Sequence, residues 1–207
     1  MIYSKKHNFI LFKNYKVGGT SLEVELSQAL DESAVVTPIA PPSILHKPRN
    51  VGSFYNHMSY SEAEKILGED VLSNAESAVF VRNPFDSVLS HMYMSLIWGG
   101  IEDPSQLDVD KYFNNEGTLA RLTGLKSRSI YTKNESIATK HVYRYEDGLD
   151  QINILLEKVG IGSISITAYE KAYKPKHIKP RDVFSQKHID IISQDWSWEI
   201  DKFGYQI

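Results

Sequence analysis

The stretch FILFKNYKVGGTSLEVEL, residues 9–26, joins an apolar run, a glycine turn and the start of a helix. The run FILF predicts a short buried strand, and the apolar residues that follow at helical spacing predict a helix over residues 20–30. A helix that begins after a strand and a glycine turn presents free backbone amides and about half a positive charge at its first turn. The stretch therefore predicts an anion-binding loop between a strand and a helix.

Five residues of this loop are candidate ligands of a phosphate or sulfate group. Gly18 and Gly19 let the backbone close around an anion, Thr20 and Ser21 add hydroxyl donors, and Lys16 adds a positive charge. The order differs from the ATPase pattern Gly-x-x-x-x-Gly-Lys-Ser/Thr, because here the lysine precedes the glycines. A strand-to-helix turn that needs glycine for its geometry alone is the alternative interpretation.

A second strand, turn and helix are predicted in AVFVRNPFDSVLSHMY, residues 78–93. The strand ends at Arg82, where a magnesium-dependent NTPase commonly has an aspartate that holds the metal. An arginine instead offers a planar fork for a second phosphate without a metal, and Ser90, two turns into the helix, adds a hydroxyl. The alternative is a structural ion pair between Arg82 and Asp86. Together the two segments indicate a nucleotide with phosphates at separated positions.

The rest of the chain alternates short apolar strands with helices. Further strands are predicted at 34–37 and 141–145. Further helices are predicted from Ser61, with Ser61 and Glu64 as a capping box, at 86–98 and 146–160 and from Ser185, and residues 108–125 are predicted to be helical in two short pieces. Alternation of this kind predicts an α/β fold with a central parallel sheet flanked by helices. With 207 residues and 42% hydrophobic content, one domain spanning residues 1–207 is expected.

Composition bounds the functional classes. The net charge of −3 predicts no general attraction to nucleic acid. The chain contains no cysteine, which excludes disulfides, thiolate metal sites and cysteine nucleophiles. No segment has the pattern of a signal peptide or the roughly 18 apolar residues of a membrane span. A cytoplasmic protein with no membrane partner is expected.

The two loops resemble those of a known family. YKVGGTSL is similar to the 5′-phosphosulfate loop, and FVRNPFDSVLSHMY to the 3′-phosphate motif, of sulfotransferases that use 3′-phosphoadenosine 5′-phosphosulfate (PAPS). The closest resemblance is to the branch of heparan sulfate 2-O-sulfotransferases and related bacterial sulfotransferase domains. NHMSYSEAEKIL, VYRYEDGLDQINILLEKVGI and WEIDKFGY resemble further segments of that branch. Tyr15 and Val17 depart from the family pattern, which usually has proline and often threonine there.

This resemblance implies a fold, a donor and a mechanism. The fold would be P-loop nucleotide-kinase-like, and the co-substrate would be PAPS, with no metal. Lys16 and the loop amides would bind the phosphosulfate, while Arg82 and Ser90 would bind the 3′-phosphate. His57, in the segment that resembles the family's histidine segment, would be the general base, with His91 or a carboxylate such as Glu62 as rivals.

The acceptor would be a hydroxyl group, which the branch implies to be on a glycan. The loop at residues 38–54, with four prolines, matches no part of the family pattern, and the basic loop at 174–181 fits either closure over the nucleotide or a solvated surface. Two other functions are retained as alternatives. One is a magnesium-dependent P-loop kinase or phosphotransferase, and the other is a nucleotide-binding protein without turnover.

Overall fold

The structure, a computed structural model, describes residues 1–114, 127–167 and 173–207. Its strands are β1 (Ile2–Ser4), β2 (Phe9–Phe12), β3 (Val35–Val36), β4 (Glu76–Val81), β5 (Thr132–Lys133), β6 (Ser136–Ile137) and β7 (His141–Arg144). Its helices are α1 (Gly19–Ala29), α2 (Tyr60–Leu67), α3 (Glu69–Asn74), α4 (Pro84–Trp98), α5 (Val109–Asn114), α6 (Asn153–Lys158), α7 (Pro180–Val183), α8 (Gln186–Asp195) and α9 (Ser197–Phe203). The α/β prediction is confirmed. For the predicted helical segment 108–125, α5 accounts for the first part and the rest lies outside the described residues.

Five strands form a mixed sheet in the order β3-β1-β2-β4-β7. β2, β4 and β7 are parallel neighbours, whereas β1 is antiparallel to both β2 and β3. The predicted parallel pairing is therefore confirmed for these three strands, whereas the sheet as a whole is mixed because β1 is antiparallel to its neighbours. β1 was not predicted, and it joins β2 through a four-residue turn in which the Asn8 amide donates to the Lys5 carbonyl at 3.3 Å. A turn this short forces antiparallel pairing, because a parallel crossover needs a dozen residues or more.

The core packs α1 and α6 with the sheet. α1 contributes Leu22 and Leu26, and α6 contributes Leu155 and Leu156, to the cluster that contains the side chains of β1, β2 and β4. β2 is buried at all four positions and β4 at five of six. Strands buried on both faces read as continuous apolar runs, which is why FILF and AVFV could be recognised without alternation.

The first predicted capping box is displaced by two residues. The N-cap of α2 is Ser59, whose side chain accepts from the Glu62 amide while Glu62 accepts from the Ser59 amide. Ser61 and Glu64 have the same spacing, so the motif alone does not choose between them. Starting the helix after Ser59 buries Tyr60 and Ala63, and the prediction that Ser61 caps it is wrong for that reason.

The predicted helix at 146–160 is broken. The structure has 3₁₀ turns at Tyr145–Asp147 and Asp150–Ile152, and only α6 is α-helical. Gly148 has φ of 93°, which interrupts a right-handed helix. At the other end of the chain, Ser185 caps α8 as predicted, but α8 ends at Asp195 and a separate helix, α9, follows.

The described residues fall into two compact units. The first contains residues 1–81 and 127–167, and therefore the whole mixed sheet; the second contains residues 82–114 and 173–207. The single domain over residues 1–207 stays a prediction. In the described ranges, no helix has both the length and the apolar character needed to cross a bilayer.

Candidate functional site

In the first unit, the loop after β2 leads to a helix N-terminus that no side chain caps. β2 ends at Phe12, the N-cap residue is Gly18, and α1 begins at Gly19. No acidic residue lies in the first turn of α1 to offset the positive end of the helix dipole. Thr20 and Ser21 lie in that turn and are buried. The local structure of the predicted anion loop is present, and ligand binding by it stays a prediction.

The backbone of this loop carries unusual conformations. Lys16 has φ of 57° and Gly18 has φ of 68°, whereas Val17 and Gly19 between and after them do not have positive φ. Alternation of this kind can turn successive amides towards one side and form an anion-binding concavity. A left-handed conformation costs a residue with a side chain about 1–2 kcal/mol. Lysine tolerates the left-handed conformation less well than asparagine does, so the backbone is strained at Lys16, the residue predicted to bind the anion.

Packing also requires the two glycines. A Cβ atom on Gly18 would lie 2.9 Å from Cδ1 of Leu149 and 3.1 Å from the ring of Tyr145. A Cβ atom on Gly19 would lie 3.0 Å from Cγ of Lys13. The glycines thus have a structural role whether or not an anion binds, and they do not by themselves indicate a ligand.

A buried ion cluster supports the loop from the side of Lys13. Lys13 Nζ donates to Glu23 Oε2 at 2.5 Å, and the Met1 amino group donates to Glu23 Oε1 at 2.6 Å and to Thr37 Oγ1 at 2.7 Å. Glu23 is 0% exposed and Lys13 is 5% exposed. Burial raises the pKa of Glu23, but the two ammonium groups outweigh this effect and lower it to about 2. The cluster therefore ties the end of β2 to α1 by charge.

His57 is held by the same loop. Its Nδ1 lies 3.0 Å from the carbonyl oxygen of Lys13, and its ring stacks on Tyr15 with centroids 3.9 Å apart at an interplanar angle of 11°. A carbonyl oxygen only accepts, so Nδ1 carries the hydrogen and donates. In the neutral ring, Nε2 then has the free lone pair. Within the described part of the chain, Nε2 makes no hydrogen bond, and it is not one of the side-chain atoms that are buried from solvent without a partner.

The His57 imidazole is kept neutral by its surroundings. Burial lowers the pKa of His57, the nearby Lys13 charge lowers it further, and the value is about 4 instead of 6.5. The side chain also sits on a backbone with φ of 60°. A neutral imidazole with its Nε2 lone pair available has the protonation state that a general base requires.

This pKa predicts a pH dependence of stability. Between pH 6.5 and about 4 the unfolded chain protonates His57 and the folded chain does not, so the free energy of unfolding should fall as the pH falls through this window. The effect is at most about 3 kcal/mol. In urea unfolding at pH 6.5, 5.5 and 4.5, His57→Gln should show a smaller loss than the parent. Gln keeps an N–H donor for the Lys13 carbonyl.

The exposed His177 provides the matched control, because His177→Gln should retain the parent's pH dependence. Glu23 contributes in a different window, since its stabilisation is complete above pH 4.5 and is lost towards pH 2. Equal slopes between pH 6.5 and 4.5 for the parent and His57→Gln would contradict a depressed pKa at His57.

The two rival bases have other partners. In the second unit, His91 is buried on α4 and its Nδ1 makes a hydrogen bond with the Tyr112 hydroxyl. In the first unit, Glu62 accepts from the Ser59 hydroxyl at 2.5 Å, and hydrogen bonds from Ser59 and Tyr55 lower the pKa of Glu62. A carboxylate stabilised in this way is a weaker proton acceptor. The catalytic role of His57 stays a prediction, and the lone pair on its Nε2 makes it a better candidate base than either rival.

Arg82, in the second unit, is paired with a carboxylate. Its Nε donates to Asp86 Oδ2 at 2.8 Å, Nη2 contacts the same oxygen, and Lys174 Nζ lies 3.3 Å from Asp86 Oδ1. The ion pair between Arg82 and Asp86, the alternative considered from sequence, is present. Asp86 therefore accepts from Arg82 and also lies close to a second cation, Lys174. Ser90 lies on α4 and is 9% exposed; phosphate binding by Arg82 and Ser90 stays a prediction.

A serine, a histidine and an aspartate also meet in the second unit. His188 Nδ1 accepts from the Ser185 amide at 3.3 Å and lies 3.0 Å from its Oγ, while His188 Nε2 lies 3.1 Å from Asp110 Oδ1. Ser185 and His188 form the capping box of α8, and the Asp110 side chain is 77% exposed. This grouping caps a helix, and its solvated aspartate does not provide the buried orienting carboxylate of a nucleophilic triad.

The structure thus brings together one of the two sets of predicted residues. Lys16, the glycine turn and His57 belong to the first unit, connected through Lys13 and Tyr15, whereas Arg82 and Ser90 belong to α4. That both sets line one cleft stays a prediction. Among residues 1–114, 127–167 and 173–207, no group of three or more His, Asp or Glu side chains is arranged to hold a metal ion.

Comparison of the chain with models of protein families, with curated proteins and with solved structures finds no match.

Proposed function

We propose that the protein is a sulfotransferase that moves the sulfuryl group of PAPS to a hydroxyl acceptor. The observation that carries this proposal is the contact between the loop and His57. The Lys13 carbonyl and the Tyr15 ring orient the imidazole and leave the Nε2 lone pair available to accept a proton. Both groups belong to the loop that resembles a phosphosulfate loop. A base directed at a hydroxyl and an anion loop are the two parts that sulfuryl transfer to an alcohol requires.

The proposed reaction is an in-line displacement at sulfur. The acceptor oxygen forms a bond to sulfur as His57 Nε2 takes its proton, and the bond between sulfur and the bridging phosphate oxygen breaks. The electron pair passes to the 5′-phosphate, which leaves as adenosine 3′,5′-bisphosphate. The α1 amides and Lys16 stabilise the charge that develops on that phosphate. The negative charge of a bound donor favours the imidazolium that forms when His57 takes the proton.

The charges near the loop favour sulfuryl transfer over the kinase alternative. A magnesium-dependent kinase needs a carboxylate that is available to the metal near the loop. The first turn of α1 has no acidic residue, and Glu23 is buried and already holds two ammonium groups. β4 ends at Val81 and is followed by Arg82, not by an aspartate. We assign Arg82 and Ser90 to the 3′-phosphate, which must then share the guanidinium with Asp86.

Ligand-induced thermal stabilisation tests the donor. Adenosine 3′,5′-bisphosphate at about 100 times its dissociation constant should stabilise the fold by about 2.7 kcal/mol, a rise of roughly 5–10 °C in the melting temperature. The effect should survive EDTA. Adenosine 5′-monophosphate, which lacks the 3′-phosphate, should give a smaller rise at the same concentration.

Each alternative has its own outcome in this assay. Stabilisation only by ATP with magnesium would replace the sulfotransferase by a kinase. Stabilisation by the bisphosphate without release of bisphosphate from PAPS, in a screen of hydroxyl acceptors, would indicate a binding protein without turnover.

A further inference from the structure

We propose, on the basis of the sulfotransferase function above, that Lys13 is a positioning residue whose buried ammonium group fixes the His57 base relative to the start of α1. Neither reactant touches Lys13, which acts through His57 and through the glycine turn. Lys13 is not one of the residues that the sequence singles out, because it lies before the glycine turn and next to a buried strand.

Lys13 contacts both parts of the proposed site through different groups. Its carbonyl oxygen lies 3.0 Å from Nδ1 of His57. Its aliphatic stem lies against Gly19, where a Cβ atom would be 3.0 Å from Cγ and 3.4 Å from Cε of the lysine. Its Nζ donates to Oε2 of Glu23, in the second turn of α1, at 2.5 Å. One residue therefore connects the base with the first two turns of the helix at the anion loop.

The buried ion pair holds the Lys13 side chain in one position. Lys13 and Glu23 are both buried, and separating them would leave two charges in the core without compensation. At its other end, Lys13 directly follows β2, which is buried at all four positions. The strand and the helix thus hold the residue from two sides, and its carbonyl presents a fixed acceptor to His57.

This connection matters because the base and the donor must be correctly placed at the same time. In the displacement above, His57 takes the acceptor's proton while the loop amides and Lys16 hold the leaving phosphate. A misplacement of about 1 Å costs up to about a hundredfold in rate. Without its ammonium group, Lys13 loses its bond to α1, so the chemical step should slow while the loop amides and Lys16 still bind the nucleotide.

The charges around His57 supply a second signature. Burial is the largest cause of its low pKa; among the charged groups, Lys13 and the Met1 amino group lower the pKa and Glu23 raises it. Tyr15 also packs on the ring, and burial raises the pKa of its hydroxyl, so this group stays neutral. Loss of the Lys13 charge therefore raises the pKa of His57.

The absence of cysteine from the chain allows the ammonium group to be removed and restored at one position. Lys13→Cys introduces a single thiol, which can be alkylated selectively as the thiolate in urea before the protein is refolded. 2-Bromoethylamine produces a thioether side chain that ends in an ammonium group and has as many chain atoms as lysine. Iodoacetamide produces a neutral amide side chain of similar size, which is the matched control. The parent is taken through the same refolding.

We expect the two alkylated forms to differ in rate and not in nucleotide affinity. In single turnovers with PAPS, the amide form should release adenosine 3′,5′-bisphosphate at least about tenfold more slowly than the aminoethyl form. The aminoethyl form should be within about threefold of the parent, and both forms should bind the bisphosphate within about threefold of the parent. Lys13→Met, which needs no alkylation, should behave like the amide form. Lys202→Met, at an exposed position of the second unit, should behave like the parent.

Nuclear magnetic resonance of the imidazole nitrogens reports on His57 without turnover. In the parent and the aminoethyl form the hydrogen should be on Nδ1 and the pKa about 4, whereas the amide form should titrate at a higher pH and populate the Nε2–H tautomer. Equal rates in the two alkylated forms, or the same His57 titration in both, would overturn the role of Lys13. Failure of the parent to bind the bisphosphate would instead overturn the sulfotransferase function, and the resonance comparison would still decide whether Lys13 positions His57.

Discussion

A Lys16→Ala variant should form adenosine 3′,5′-bisphosphate from PAPS at least about a hundredfold more slowly than the parent. Removing one preorganised donor from a developing negative charge typically costs about 3 kcal/mol of barrier. The leaving phosphate gains charge as the bond to sulfur breaks, so the lysine contributes more to the transition state than to the bound substrate. The affinity for adenosine 3′,5′-bisphosphate should therefore change by less than about threefold.

The backbone of Lys16 makes this experiment informative. The residue already has φ of 57°, and alanine in its place carries a similar backbone strain, so loss of the fold is not expected. Single-turnover measurement of bisphosphate release gives the chemical step, and titration of the bisphosphate gives the affinity. The exposed Lys5 supplies the control, since Lys5→Ala removes an equal charge far from the loop in sequence. A Lys16→Ala rate within threefold of the parent would refute the assigned role.

Glu23→Ala should lower the free energy of unfolding by about 3–5 kcal/mol, the cost of leaving a buried charge without its partner. Glu23 is fully buried and accepts from both Lys13 and the Met1 amino group, so its removal leaves both amino groups in the core without a carboxylate partner. A change of this size is a large fraction of the stability of an ordinary domain. Urea unfolding at pH 7 measures it.

Two further variants keep the Glu23 experiment interpretable. Glu23→Gln retains hydrogen-bonding atoms and should fold even if Glu23→Ala does not, with a smaller loss. The exposed Glu32 is the control, and Glu32→Ala should change the free energy of unfolding by no more than about 0.5 kcal/mol. A loss below 1 kcal/mol in Glu23→Ala would contradict a charged, paired Glu23.

Local patterns were sufficient for most elements of the sheet. β2, β4 and the helices α1 and α4 were predicted because each is a buried run or a continuous apolar face, and such patterns depend on neighbours along the chain. β1 was missed because three residues are too few for a pattern, and its stability comes from pairing on both sides with β2 and β3. The α2 cap was misplaced because two serine–glutamate pairs satisfy the same spacing, and burial of Tyr60 and Ala63 selects one.

The candidate site likewise contains residues that the sequence could indicate and contacts that it could not. Lys16, the glycine turn and His57 could be proposed from their order along the chain. Nothing in that order signals that Lys13 and Glu23, ten residues apart, form a buried ion pair, since an isolated charge in an apolar segment reads as a solvated one.

For this protein, the amino-acid order alone was enough to predict the strand–loop–helix units and to propose which residues bind an anion, because amide geometry, glycine freedom and hydrophobic periodicity act over a few residues. Folding in three dimensions decided the tautomer and the pKa of His57 and the pairing of Arg82 with Asp86. These properties depend on burial and on distances of a few ångströms between side chains, and electrostatic energies change steeply over such distances.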